Sequence, residues 1–114
     1  MNKALIIFKA LSDKNRIRIL KMLEQKPLCV CEMTHILGLA ASTTSKHLSI
    51  LKDAQLIFEQ KENKWVNYHL NNATQNTFIK ETLLLIKSWL NDDEMIQMDR
   101  VKADKVNRID ICKS

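Results

Sequence analysis

Three features of the sequence predict a mainly α-helical domain with one small β-hairpin. Apolar residues recur at helical spacing through most of the chain, strand-like alternation replaces that spacing after Leu56, and 114 residues contain one Gly and one Pro. So few chain breakers exclude a turn-rich all-β fold. A hydrophobic fraction of 46% over this length supports a single modest core, hence one globular unit with about five to six helices.

The elements follow in order. Ala4 to Leu11 forms a first helix with Leu5, Phe8 and Leu11 on one face. Ser12 and Asp13 are capping residues for a second helix, Asn15 to Glu24, which buries Ile17, Leu20 and Leu23. Pro27 stops it. A third, brief helix runs from Val30 to Leu37 and ends at Gly38, a residue free to take the left-handed cap; a fourth ends near Ala54. Ile57 to Lys61 and Trp65 to Leu70 read as two strands joined across Glu62-Asn63-Lys64, where Asn63 tolerates positive φ. Asn71 and Asn72 break the second strand, and a long fifth helix runs from about Ala73 to Leu90. The tail from Asp92 mixes both charge signs and predicts one further short helix. Two short helices around a tight turn, followed by a hairpin, make a winged helix-turn-helix.

The formal charge of +5 and a pI near 9.2 suit a polyanionic partner, although ordinary solubility accounts for such a charge as well. Met1-Asn2-Lys3 leads into an amphipathic segment without a secretory cleavage pattern, and the apolar run Leu83 to Ile86 ends at Lys87, far short of a membrane span. Three cysteines without export read as reduced thiols rather than a disulfide framework. The expected location is the cytoplasm, with no membrane partner.

The fourth helix carries two chemistries. Thr44, Leu48 and Leu51 fall at i, i+4 and i+7 and pack inward. Ser42, Thr43, Ser45, Lys46 and Ser49 point away, and such hydroxyls and cations suit the edges and phosphates of a DNA major groove. His47 stands between the two faces, either touching the DNA backbone or packed and hydrogen-bonded. Lys61 and Lys64 flank the hairpin turn, placed for phosphate or the minor groove.

Four segments in register, A-L-S-D-K-N-R-I-R-I-L, L-C-V-C-E, S-T-T-S-K-H-L-S-I-L-K-D-A and K-W-V-N-Y-H-L, resemble the ArsR/SmtB family of metal-responsive repressors over about residues 4 to 90. The resemblance implies a DNA-binding repressor, not an enzyme, that pairs as a homodimer through its first and fifth helices on double-stranded operator DNA. Residues 1–91 would then form the DNA-binding and dimerisation domain, and 92–114 a charged tail carrying Cys112. The fifth helix agrees, because apolar residues wrap nearly around it from Leu83 onward, more than one core face requires. Two positions depart from the family. Ala40 replaces the hydroxyl cap before the recognition helix, and Gln55 replaces the glycine after its final alanine.

Cys29-Val30-Cys31 is the candidate sensor. On a regular helix two side chains two residues apart diverge by about 200°, so both sulfurs meet one ion only where the first turn is unformed or distorted. A helix N-terminus also favours the thiolate. Two thiolates plus a third suit As(III) or Sb(III), whereas structural zinc wants four ligands and no second cluster exists. The arsenic-responsive branch of the family resembles this chain in its L-C-V-C-acid segment but often has a third cysteine where this chain has Thr34; Cys112 is the candidate replacement, from its own chain or the partner's. His35, one turn after Cys31, is either a borderline ligand or a solvent-facing residue. The family's other zinc site needs histidine on the fifth helix, and residues 73 to 90 contain none. The expected metal set is therefore Cys29, Cys31 and Cys112, with As(III) or Sb(III) as effector and no catalytic cofactor. The alternative is a winged-helix repressor answering to thiol oxidation or persulfidation. A thiol-based enzyme fails on inventory, since the sequence carries no catalytic pocket pattern, phosphate-binding Gly-rich loop or paired base, and a winged-helix module used only for protein contacts would bind no DNA.

Overall fold

A computed structural model describes residues 1–112 of the chain. The order is α1 (Asn2–Leu11), α2 (Lys14–Leu23), β1 (Leu28–Cys29), α3 (Val30–Leu37), α4 (Ala41–Asp53), β2 (Ile57–Glu62), β3 (Trp65–Leu70), α5 (Thr77–Lys87), α6 (Glu94–Lys105) and α7 (Arg108–Ile111). The helix-turn-helix and its hairpin lie where the sequence predicts them. One strand and one helix were not foreseen. β1 is too short to show alternation, and α7 is a single turn.

Local chemistry sets most boundaries. Asp13 caps α2, its Oδ1 accepting from the backbone N–H of Asn15 at 2.7 Å and of Arg16 at 3.2 Å. Burial alone would raise this carboxyl, but the two backbone donors outweigh it and hold Asp13 below the usual carboxylate range. Gly38 ends α3 at φ 69°, and Asn63 sits in the hairpin turn at φ 59°. α5 is shorter than the apolar pattern predicts. Asn76 caps its start through Oδ1 and the Ile79 N–H, and Leu90, at φ 61°, lies in the turn beyond its end.

The core gathers around α2, where Ile19, Leu20 and Met22 are wholly buried together with Leu28, Met33, Leu51 and Leu56. The expected face of α2 is corrected here: Ile17 stays half-buried while Ile19 and Met22 go inside. The reason is that α1, α4 and α6 all pack on α2, so more than one stripe is covered. On α1 the inward residues are Ile7 and Ala10, leaving Leu5 and Phe8 exposed.

The tail packs onto this body. Asp99 of α6 is 2% exposed and meets Arg18 of α2 through two hydrogen bonds, at 2.8 and 2.9 Å. Lys21, 1% exposed, spans α2 and α5 by donating to the Ile86 carbonyl at 2.9 Å and pairing with Glu24 at 2.9 Å. Arg100 of α6 reaches the same Glu24. The three strands pair antiparallel in the order β1-β3-β2, so the wing's second strand is central. In that register Leu28 faces Tyr68, and Cys29 faces Asn67.

Candidate nucleic-acid interface and thiol site

α4 keeps its two faces apart. Thr44, Leu48 and Leu51 are buried, whereas Ser42, Thr43, Ser45, Lys46 and Ser49 are all exposed on the opposite side. Ala40 stands at the N-cap with no side-chain bond; the Thr44 hydroxyl instead donates to the Ala40 carbonyl at 3.2 Å. His47 is half-buried, with its Nδ1 3.2 Å from Arg16 Nη1. A guanidinium has only donors, so Nδ1 accepts and Nε2 carries the proton. Arg16 also donates to the carbonyls of Ala10 and Lys9, which fastens the recognition helix to the α1–α2 corner.

Lys61 and Lys64 are both exposed at the tip of the wing. Lys64 lies over the Trp65 ring, its Nζ 5.4 Å from the centroid. One ion pair joins the recognition helix and the wing without any signal in the hydrophobic pattern. Lys52 at the end of α4 pairs with Glu59 of β2 at 2.5 Å, which holds the Glu59 carboxyl below its ordinary range, and the Tyr68 hydroxyl donates to the other Glu59 oxygen. On the wing surface Phe58 stacks on His69, which bonds Glu62 at 2.8 Å.

The thiols stand at the opposite end of α3 from the turn. Cys29 closes β1 and is the N-cap of α3, with extended backbone. Its N–H donates to Glu32 Oε1 at 3.0 Å, and its sulfur faces the Glu32 backbone N–H, a capping box with sulfur in the usual hydroxyl position. This accommodates a cysteine where the first turn needs an acceptor. The expectation that the helix end favours a Cys29 thiolate is corrected: burial pushes the thiol up, the Glu32 N–H pulls it down, and the nearby Glu32 carboxylate pushes it up again. The net direction is upward.

Cys31, half-buried on the first turn of α3, is joined to Cys112 in a disulfide with a Cα–Cα distance of 5.8 Å. The expectation of three separate reduced thiols therefore does not describe this state. The tail returns to α3 of its own chain, a closure across 81 residues of sequence that no local pattern encodes. Cys29 remains a free, buried thiol. Among the described residues no three His, Cys, Asp or Glu side chains are gathered as a metal-ion site. The chemistry available is a joined pair with a third sulfur two residues away. His35 faces solvent, and the Thr34 hydroxyl is buried without a hydrogen-bond partner among the described residues.

Sequence reasoning missed the residues that frame this site. Glu32, 4% exposed, also accepts from Arg108 Nη2 of α7 at 2.9 Å. The same Arg108 nitrogen donates to Asn67 Oδ1 at 2.9 Å, and the guanidinium carbon lies 4.9 Å from the Trp65 ring centroid. The acid following C-x-C signals Glu32 as a helix-start partner; nothing in the tail marks Arg108 among its neighbouring charges.

A polar, exposed recognition helix tied to a basic-tipped β-hairpin defines a winged helix-turn-helix DNA-binding protein. Comparison with known proteins narrows this class. Residues 13–58 match the family described as "Bacterial regulatory protein, arsR family". The Arsenic resistance transcriptional regulator ArsR1 of Pseudomonas putida is 31% identical over 94 residues, covering 79% of this chain and 73% of that protein. The Arsenical resistance operon repressor of Bacillus subtilis is 40% identical over 80 residues, 69% of this chain and 76% of the repressor. Among solved structures, HlyU from Vibrio cholerae superposes with a TM-score of 0.62 at 33% identity, covering 75% of this chain and 88% of HlyU. The chain belongs to the ArsR family. It is a DNA-binding transcriptional regulator, not an enzyme. No helix among the described residues is long and apolar enough to cross a membrane.

Proposed function

We propose that the protein is a cytoplasmic, homodimeric repressor that leaves its operator when As(III) or Sb(III) binds the thiols of Cys29, Cys31 and Cys112. The observation that carries this reading is the position of Cys29. It pairs with Asn67 of the wing through β1 and caps α3 of the helix-turn-helix, so any pull on its sulfur acts on both DNA-contacting parts. The names of the P. putida and B. subtilis relatives support arsenic as the signal. Thiol chemistry supports it too. Once a thiol reductant such as glutathione has reduced the Cys31–Cys112 disulfide, itself leaving as its own disulfide, trihydroxy arsenic(III) condenses with the three thiols to give a neutral trithiolate and three waters, so a buried, protonated Cys29 is no obstacle. A divalent ion requires thiolates and releases their protons.

On DNA, Ser42, Thr43, Ser45, Lys46 and Ser49, with His47 at their margin, would meet the major groove and Lys61 and Lys64 the flanking phosphates. The second copy would dock on the apolar surface formed by Leu5, Phe8, Phe78, Leu85 and Trp89, each between 46% and 65% exposed. Two such hands reach half-sites about one helical turn apart.

A second reading keeps the DNA surface and changes the signal. The Cys31–Cys112 disulfide favours it, as does a reduced form of HlyU with a TM-score of 0.61. Here a peroxide oxidises one thiol to a sulfenic acid, releasing water, and the second thiol closes the disulfide, releasing another water.

The test is fluorescence anisotropy of labelled DNA from the region upstream of the protein's own coding sequence, titrated with arsenite under reducing conditions. Release of about 5- to 150-fold, abolished by Cys29→Ser and Cys31→Ser, is the expected result. Tight binding that ignores arsenite and yields to peroxide would replace the first reading with the second.

A further inference from the structure

We propose that Arg108 is the positioning residue through which the state of Cys112 reaches the wing. It acts on the site described above, and so rests on Cys112 being a working thiol. One guanidinium touches both α3 and β3, the two elements that adjoin Cys29. It bonds Glu32, the capping partner of Cys29 on α3, and Asn67, the residue opposite Cys29 on β3. It also lies over Trp65, which is half-buried at the start of β3, beside the hairpin turn.

The arrangement is a clasp. α7 is four residues long, with Arg108 at its first position and Cys112 as its C-cap, so one turn of helix carries both the hook and the thiol. When Cys112 is held at Cys31, by a disulfide or by a shared soft ion, α7 is docked and Arg108 fixes wing and sensor helix in one relative geometry. When Cys112 is free, a single turn has too few internal bonds to stay formed, and the wing loses this constraint. Glu32 also loses its only cationic partner among the described residues, so the docked and undocked states differ by a buried charge pair. That gives the tail two discrete arrangements, which a coupling element needs. In the docked state the wing is held off the geometry that DNA requires, and Arg108 is what holds it.

The test separates effector binding from its transmission. Arg108→Gln removes the charge. Arg108→Lys keeps a cation for Glu32 but has no planar fork to reach Asn67 and stack on Trp65 together. Both variants and the wild type are titrated with arsenite while DNA release is followed. In parallel, Trp65 emission is read in a Trp89→Phe background, since the chain has two tryptophans. Arg108→Lys is expected to bind arsenite like the wild type while its DNA release falls from about 5- to 150-fold to less than about twofold. Its Trp65 emission should no longer respond to the thiols. Full release and a wild-type Trp65 response in both variants would overturn the proposal.

If wild-type DNA binding ignores arsenite, the effector assignment fails and the clasp is still decided by emission. Closing Cys31–Cys112 with oxidised glutathione, which takes two electrons and leaves two glutathione thiols, should shift Trp65 emission in the wild type and not in Arg108→Lys. Equal shifts in the two would overturn it.

Discussion

At the scale of single residues, Gln55 departs most from what its position asks. It follows the recognition helix at φ 63°, where a side chain meets the backbone and costs about 1–2 kcal/mol. Its carbonyl accepts from Asn71 Nδ2 at 2.9 Å, a bond any residue keeps. Gln55→Gly relieves the strain and gives back part of the gain as unfolded-chain entropy, leaving about 0.5–1 kcal/mol of added stability. A raised urea midpoint with an unchanged slope would confirm this. The sequence announces the problem as a missing glycine, and the backbone angle supplies the reason. Cys29 is the opposite case. Its spacing from Cys31 is legible, but the burial that keeps it a neutral thiol depends on β3 and α3 closing over it.

At the scale of elements, α4 is legible from its two-faced pattern, and α2, α3 and the hairpin are legible because each carries its own boundary chemistry: an Asp cap, a Gly stop, an Asn turn. α6 is not. Its sequence mixes charges, and Asp99 reads as one more exposed acid until Arg18, 81 residues earlier, is brought to it. Both partners are largely buried, at 11% and 3% side-chain exposure, so removing one leaves the other unpaired. Asp99→Ala should destabilise the protein by about 3 kcal/mol, seen in urea unfolding, and loosen α6 from α2. Protection of the α6 amides from hydrogen exchange should fall first. Unchanged stability would mean that Arg18 finds solvent at little cost.

At the scale of the whole molecule, α1 and α5 present an apolar surface that the monomer leaves bare. Leu85 is 52% exposed on α5, turned away from the core residues Ile79, Leu83 and Ile86. Leu85→Glu should therefore leave the fold intact while breaking self-association, because a carboxylate at such an interface finds no partner. Analytical ultracentrifugation should then report a monomer. Specific DNA binding should drop toward the non-specific level, roughly a thousandfold weaker. A variant that stays dimeric would move the interface elsewhere.

Hydrophobic period, caps and turn residues determined by themselves the helix-turn-helix, the wing and the split faces of α4, because these signals act over a few neighbouring residues. Only the tertiary structure decided how the C-terminal tail and the wing meet the start of α3. The pairing of Cys29 with Asn67, the return of Cys112 to Cys31 and the reach of Arg108 across Glu32, Asn67 and Trp65 join residues dozens of positions apart. Such contacts form only after the core has set the positions of α3 and β3. No local pattern carries them, since a cysteine or an arginine in a charged tail looks the same whether it is docked or free.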